Sequence, residues 1–313
     1  MEWYWILLIV QGGVTIVATI FVYAISLFAY KVAFGRANAV AFDELDLTAT
    51  QYKGLEDKIL PAFKFMREQS FDDCYIRSFD GLTLHASYKK GNNNKLVIMI
   101  PGYHADPLNN FAVIAMRLIN EGYGVLIVNL RAHEKSEGKW CTFGCSESKD
   151  FLDWVKYADE TYKPEEIYCY GVSLGCASLE IASSSQFPAS VKCLICDCGF
   201  ASPYEQIRTT FHQKLGLLGD ISTSLLPFHA AVIGKFNLLG TKCYKELAKA
   251  TVPCFFIHGG KDAMVPVSRG QLNYEYCASK KEKAFYADAG HNQCFTMHED
   301  EIMEKLNSFI SSL

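Results

Sequence analysis

Ser173 lies between two glycines in Gly171-Val172-Ser173-Leu174-Gly175, directly after a short apolar run at residues 167–170 and directly before a helical pattern. Glycine-sized neighbours let a backbone turn sharply from strand to helix, and such a turn pushes the serine hydroxyl outward. The helix predicted over residues 174–184 would aim its N-terminal N–H groups at any oxyanion formed beside that hydroxyl. A serine hydroxyl is a poor nucleophile until an imidazole takes its proton, and the imidazole needs a carboxylate to fix its tautomer and stabilise its charge. Both lie downstream, each just after an apolar run. Asp262 ends Gly259-Gly260-Lys261-Asp262, and His291 ends Asp288-Ala289-Gly290-His291. The chemistry this implies is nucleophilic acyl transfer, with Ser173 attacking, His291 moving the proton and Asp262 orienting the imidazole.

Competing residues place limits on that assignment. Of the eight histidines, His298 falls at the start of the last predicted helix, away from a loop-borne serine. His258 and His133 sit at strand ends, where structural hydrogen bonds are expected. Asp197 ends the strand before the Asp262 strand and is the rival acid. The oxyanion needs two backbone donors, one from the residue after the nucleophile and one from the loop after the first core strand. These are the N–H groups of Leu174 and of Tyr103, in Pro101-Gly102-Tyr103-His104. His104 on the same loop is expected to contact substrate. Strand alternation puts Cys196 and Cys198 on one face and Cys193 on the other, so the three do not converge on zinc, and neither a metal nor another cofactor is expected. Cys141 and Cys145 are expected to be reduced.

The elements that must hold these residues follow from periodicity. A hairpin is predicted at 74–79 and 82–88, joined by Asp80-Gly81. Short apolar strands then follow at 96–100, 124–129, 167–170, 191–196, 254–258 and 283–287. They alternate with helical patterns at 111–120, 151–162, 174–184, 266–278 and 298–311. That alternation predicts an α/β fold with a mostly parallel central sheet and helices on both faces. Residues 199–252 are too long for an ordinary connection and carry apolar clusters, so they read as an inserted lid, with ordinary sheet-packed helices as the alternative.

The amino-terminal segment is of another kind. Residues 3–30 hold no Asp, Glu, Lys or Arg, and 28 residues at about 1.5 Å each exceed a hydrocarbon core of about 30 Å. Trp3, Tyr4, Trp5, Phe28 and Tyr30 flank the run as interfacial anchors would. A signal peptide with a cleavage site at Ala37-Asn38-Ala39 is the rival reading, against the missing basic n-region and the length of the run. Lys31 and Arg36 follow the span and none precede it, which predicts a single-pass cell-membrane protein with its main domain cytoplasmic. The organisation expected is a transmembrane helix at 1–31, a juxtamembrane connector at 32–70 with helix at 57–67, and a catalytic domain at 71–313. A net charge of −4 gives no basic footprint for nucleic acid. The expected partners are therefore the lipid bilayer and a small-molecule ester or acyl substrate.

Five motifs in order carry a family resemblance: Pro101-Gly102-Tyr103, the stretch from Arg131 to Gly138, Gly171 to Gly175, His258 to Asp262 with Val265-Pro266, and Gly290-His291. With the order Ser, Asp, His, the chain from about Cys74 onward resembles the α/β-hydrolase superfamily. It is most similar to the serine aminopeptidase-like branch, with its monoacylglycerol lipases, cinnamoyl esterases and membrane-anchored bacterial hydrolases. Two departures stand out: Pro101 where that branch has histidine, and Asn129-Leu130-Arg131-Ala132-His133-Glu134 where it has Asp-x-Arg-Gly-His-Gly. The resemblance implies a membrane-tethered serine hydrolase that cleaves carboxylic, acyl or lipid-like esters through an acyl-enzyme. The alternatives are a peptidase or amidase for short peptides, with Glu205 as the lone acid able to hold a substrate amine, and a catalytically silent membrane-bound interaction module.

Overall fold

The computed structural model describes residues 2–36 and 54–313. Eight strands form one sheet: β1 (Asp72–Arg77), β2 (Thr83–Lys89), β3 (Lys95–Ile100), β4 (Gly124–Val128), β5 (Glu166–Val172), β6 (Val191–Asp197), β7 (Cys254–Gly259) and β8 (Lys281–Tyr286). Their spatial order is β1-β2-β4-β3-β5-β6-β7-β8. The hairpin β1–β2 is antiparallel, β2 runs antiparallel to β4, and every later pairing is parallel. The inner strands are apolar along their length because both faces are covered. Side chains alternate between two cores, Ile98, Leu126, Cys169 and Leu194 on one face and Val97, Ile127, Tyr170 and Ile195 on the other. β5, which carries Ser173 at its carboxyl end, is central, between β3 and β6.

The predicted helices form, with shifted starts where a polar group recruits extra turns. The helix expected from 151 begins at Glu147 and runs to Tyr162. The buried Glu147 carboxylate accepts the N–H groups of Thr142 (2.7 Å) and Gly144 (2.8 Å), satisfying donors that the preceding loop would otherwise bury unpaired.

The amino-terminal boundaries need correction. One helix, Trp3–Phe34, continues past the expected end of the span. Residues 2–21 are exposed throughout, but Tyr30 and Phe34 are wholly buried in the main core. Their rings pack on Trp140 (4.9 Å) and Phe143 (5.8 Å) respectively. Burying one such aromatic is worth about 1.5–3 kcal/mol, so the end of this helix is part of the folded domain. Gly35 bridges Trp140, the Cys141 N–H donates to Phe34 O (2.7 Å), and the Arg36 guanidinium donates to the carbonyls of Glu134, Ser136 and Gly138. The helix Glu56–Glu68 likewise buries Ile59, Ala62, Phe63 and Met66 in the second core, where a solvated connector was expected. Residues 37–53 of that connector, with the site Ala37-Asn38-Ala39, lie outside the described residues.

The insertion between β6 and β7 is helical: Pro203–Leu215, Leu217–Thr223, Leu226–His229, a π-helical turn at Ala230–Gly234, and Cys243–Leu247. The last of these departs from a lid. Cys243 and Leu247 are buried in the main core, and the Cys243 N–H donates to Ala201 O (3.0 Å), so this piece returns to the domain body.

Candidate active site

Ser173 occupies a backbone conformation that few L-residues adopt, φ 54° and ψ −107°, at the junction of β5 and the helix Leu174–Ala182. Holding a residue there costs on the order of 1–3 kcal/mol. The neighbouring glycines explain how the turn is possible. A Cβ on Gly175 would lie 1.8 Å from Ile100 O, and one on Gly171 would lie 2.6 Å from Cys176 N. The turn is fastened by the Ser173 N–H donating to Asp197 O at 2.8 Å.

Asp262 and His291 come from loops after β7 and β8 and meet at the same end of the sheet. His291 Nδ1 is 2.7 Å from Asp262 Oδ2. The other carboxylate oxygen, Oδ1, accepts the N–H groups of Met264 (2.9 Å) and Val265 (2.7 Å), which locks the carboxylate in place. Both of its oxygens are thus engaged, and the imidazole tautomer is fixed with the proton on Nδ1. Nε2, the other ring nitrogen, is within hydrogen-bond distance of Cys198 Sγ at 3.9 Å. Among the described residues the Ser173 hydroxyl makes no hydrogen bond; such contacts in unliganded hydrolases are often long and tighten when substrate binds. Ser173 and His291 line one cavity of about 700 Å³ together with Val32, Ala33, Tyr103, Phe143, Leu174, Phe200, Ile207, Phe211 and Met264. Its walls are mainly apolar, and its size suits a drug-sized ligand.

The loop Pro101–His104 abuts Ser173: a Cβ on Gly102 would sit 3.7 Å from Ser173 Cβ. The Gly102 N–H donates to Asn110 Oδ1 (2.9 Å), fixing the loop. The N–H groups of Tyr103 and Leu174 donate to no group among the described residues. The Tyr103 hydroxyl donates to Ala33 O at 2.9 Å, with Val32 O at 3.2 Å. The amino-terminal helix therefore touches the loop that carries one candidate oxyanion donor, a contact that no local sequence pattern signals.

His104 is not among the residues lining the cavity. Its backbone has φ 54°, its N–H donates to His133 Nε2 (3.2 Å), and its ring stacks on Tyr103 at 3.8 Å. Burial lowers its pKa. His133 Nδ1 donates to Arg131 O (2.8 Å), and burial holds this imidazole down at about 4, hence neutral. His258 Nε2 donates to Val265 O (2.9 Å), and His298 stacks on Tyr286 and reaches Asp288 (2.9 Å). Asp197, the rival acid, accepts from the Tyr170 hydroxyl (2.7 Å), and burial raises its carboxyl to about 6.

The cysteine geometry differs from the expectation. Cys193 and Cys198 share one core and Cys196 lies in the other, because Cys198 adopts φ 46° after the strand ends and alternation stops there. The Cys198 thiol, His291 and Asp262 come within 4.8 Å of one another, but the imidazole and carboxylate already bond each other. All twelve cysteines are free thiols.

A sequence family described as alpha/beta hydrolase fold matches residues 95–238. An uncharacterised protein, YqkD of Bacillus subtilis (strain 168), is 22% identical over 273 residues, covering 80% of this chain and 90% of its own. Among solved structures, the esterase Pf2001 of Pyrococcus furiosus superposes with a TM-score of 0.65 at 20% identity, over 89% of this chain and 98% of its own. The α/β hydrolase GrgF from Penicillium sp. sh18 gives 0.60 at 14% identity, over 78% and 99%. The esterase RhEst1 from Rhodococcus sp. ECU1013 gives 0.56 at 15% identity, over 78% and 100%. Strand order, the central serine turn and these likenesses together identify the architecture of this chain as the α/β-hydrolase fold.

Proposed function

We propose that this protein is a membrane-anchored serine hydrolase of carboxylic esters with acyl or lipid-like groups, working through an acyl-enzyme. The observation that carries the reading is the 2.7 Å pairing of His291 Nδ1 with Asp262 Oδ2 in the apolar cavity that Ser173 also lines. Ser173 Oγ attacks the ester carbonyl while His291 Nε2 takes its proton, and Asp262 stabilises the imidazolium. The Tyr103 and Leu174 N–H groups hold the tetrahedral oxyanion. His291 then protonates the departing alkoxide, and a water activated by the same nitrogen releases the acid.

An ester is favoured over a peptide because Glu205, the acid expected to hold a substrate amine, is already paired and does not line the cavity. Glu205 Oε1 is 3.2 Å from Lys242 Nζ, and Oε2 is 3.2 Å from Arg269 Nη1. His104 faces His133 in this conformation and reaches substrate only if the oxyanion loop turns. Anchoring is favoured over a cleaved signal because cleavage after residue 39 would strip Tyr30, Phe34 and Arg36 from the folded domain. Lys31 and Arg36 after the span favour a cytoplasmic side for that domain.

The test is covalent labelling of the full-length chain in mild detergent by a fluorophosphonate, beside Ser173→Ala. Labelling lost in the variant alone is expected. A folded wild type that takes no label, with no turnover of short esters, refutes the reading.

A further inference from the structure

Residues 3–21 of the first helix are all exposed. At about 1.5 Å per residue these 19 residues rise about 28 Å, close to the hydrocarbon thickness of about 30 Å. The bilayer surface therefore falls near Val22, where the helix begins to contact the lid. There the Tyr23 ring packs on His229 (5.2 Å), and about two turns later Tyr30 meets the same histidine (6.0 Å).

The lid segments that pack against this helix also carry exposed apolar side chains. Leu215, Leu217, Leu218, Phe228, Val232 and Ile233 are all exposed, Leu217 to 73%. Water tolerates isolated exposed leucines, but an apolar surface continuous with a membrane helix marks an interaction site. Lys214 and Lys235 flank it in sequence, as basic groups flank segments that lie in the headgroup region. The cavity joins the same features, since Val32 and Ala33 of the anchor and Phe211 and Lys214 of the first lid helix line it with Ser173.

From this we infer that the lid rests its apolar ridge in the leaflet the anchor enters, and that the cavity takes single-chain ester amphiphiles directly from that leaflet. The inference rests on the anchored-esterase reading and deepens it by naming the route and the substrate class. The occupant of the ridge is the lipid surface, because continuity with the exposed helix puts the ridge within the reach of about 5–10 Å typical of interfacial segments.

The experiment uses the full-length chain reconstituted in phosphatidylcholine vesicles, with two esters of one fluorogenic phenol: the hexadecanoyl ester dissolved in the bilayer and the acetyl ester in water. Wild type is compared with Leu217→Asp/Val232→Asp, two positions outside the cavity. The ratio of long-chain to acetyl turnover is expected to fall about tenfold or more in the variant, with acetyl turnover within about twofold, since the two carboxylates lift the ridge from the leaflet. An unchanged ratio, whether or not both rates fall, overturns the inference and leaves the esterase reading standing. Absence of turnover of either ester by wild type, with no Ser173 labelling, overturns both.

Discussion

Replacing Tyr103 by Phe removes one hydroxyl and leaves the ring, which packs on Phe143 at 4.8 Å. The hydroxyl ties the candidate oxyanion loop to the first helix through Ala33 O at 2.9 Å, beside a hydrogen bond from the His104 ring to the Gly35 backbone. Ala33 and Val32 lie in the last turn of their helix, where carbonyls lack intrahelical donors. Losing such a bond costs about 0.5–1.5 kcal/mol net, or about 1–3 kcal/mol where the carbonyl is left dry. If the bond positions the Tyr103 N–H for the oxyanion, part of that loss appears in the transition state alone, and 1 kcal/mol there is about fivefold in rate. The expected outcome for Tyr103→Phe is a kcat about three- to tenfold lower on a short ester, with KM within about twofold and a thermal midpoint lower by about 2–4 °C. Steady-state kinetics in detergent, with the rate of fluorophosphonate labelling as an independent readout, measures it. A lower midpoint with unchanged kcat and labelling rate would refute the argument and leave the loop positioned by its other hydrogen bonds, Gly102 N–H to Asn110 and His104 N–H to His133.

Further predictions concern the triad, the turn and a buried acid. Asp262→Asn should lower kcat by about 10⁴ by reversing the imidazole tautomer, whereas Asp197→Asn, which keeps an acceptor for Tyr170, should stay within about tenfold; equal losses would reassign the acid. Gly175→Ala should yield no folded protein, because its Cβ would overlap Ile100 O, a backbone atom held in the sheet; soluble, active protein would show that the turn can relax. Burial holds the Glu180 carboxyl at about 8 in the folded chain, so the folded state keeps a proton that the unfolded state releases near 4.5. Stability should therefore be full below about pH 4.5, fall as pH rises toward 8, and level off above. Glu180→Gln retains an acceptor for Asn273 Nδ2, which lies 2.8 Å from Glu180 Oε2. It should raise the thermal midpoint at pH 8 more than at pH 5, and parallel pH curves for the two proteins would exclude the linkage.

Much of the domain was legible in one dimension because its signals are local. Continuous apolar runs specify buried parallel strands, and each of the eight strands forms within a few residues of its expected place. The serine turn announces itself through Gly171 and Gly175, whose missing side chains are required by contacts of 2.6 and 1.8 Å. The pairing of Asp262 with His291 was also within reach, since both follow strands whose carboxyl ends a parallel sheet gathers at one edge.

What the sequence could not decide is whatever depends on segments far apart in the chain. An uncharged run from 3 to 30 reads the same whether it lies in lipid or in protein, because hydropathy does not distinguish the two apolar environments. Only the fold separates residues 3–21, exposed throughout, from Tyr30 and Phe34, buried beside Trp140 and Phe143. The position of His104 depended on a partner 29 residues away, and that of Cys198 on a left-handed residue at the point where strand alternation ends. Sequence determined the candidate chemistry because the proposed nucleophile, base and acid are marked by residue type and local turn. Tertiary structure decided what surrounds them, because a first helix whose Val32 and Ala33 line the cavity is a contact between distant parts of the chain.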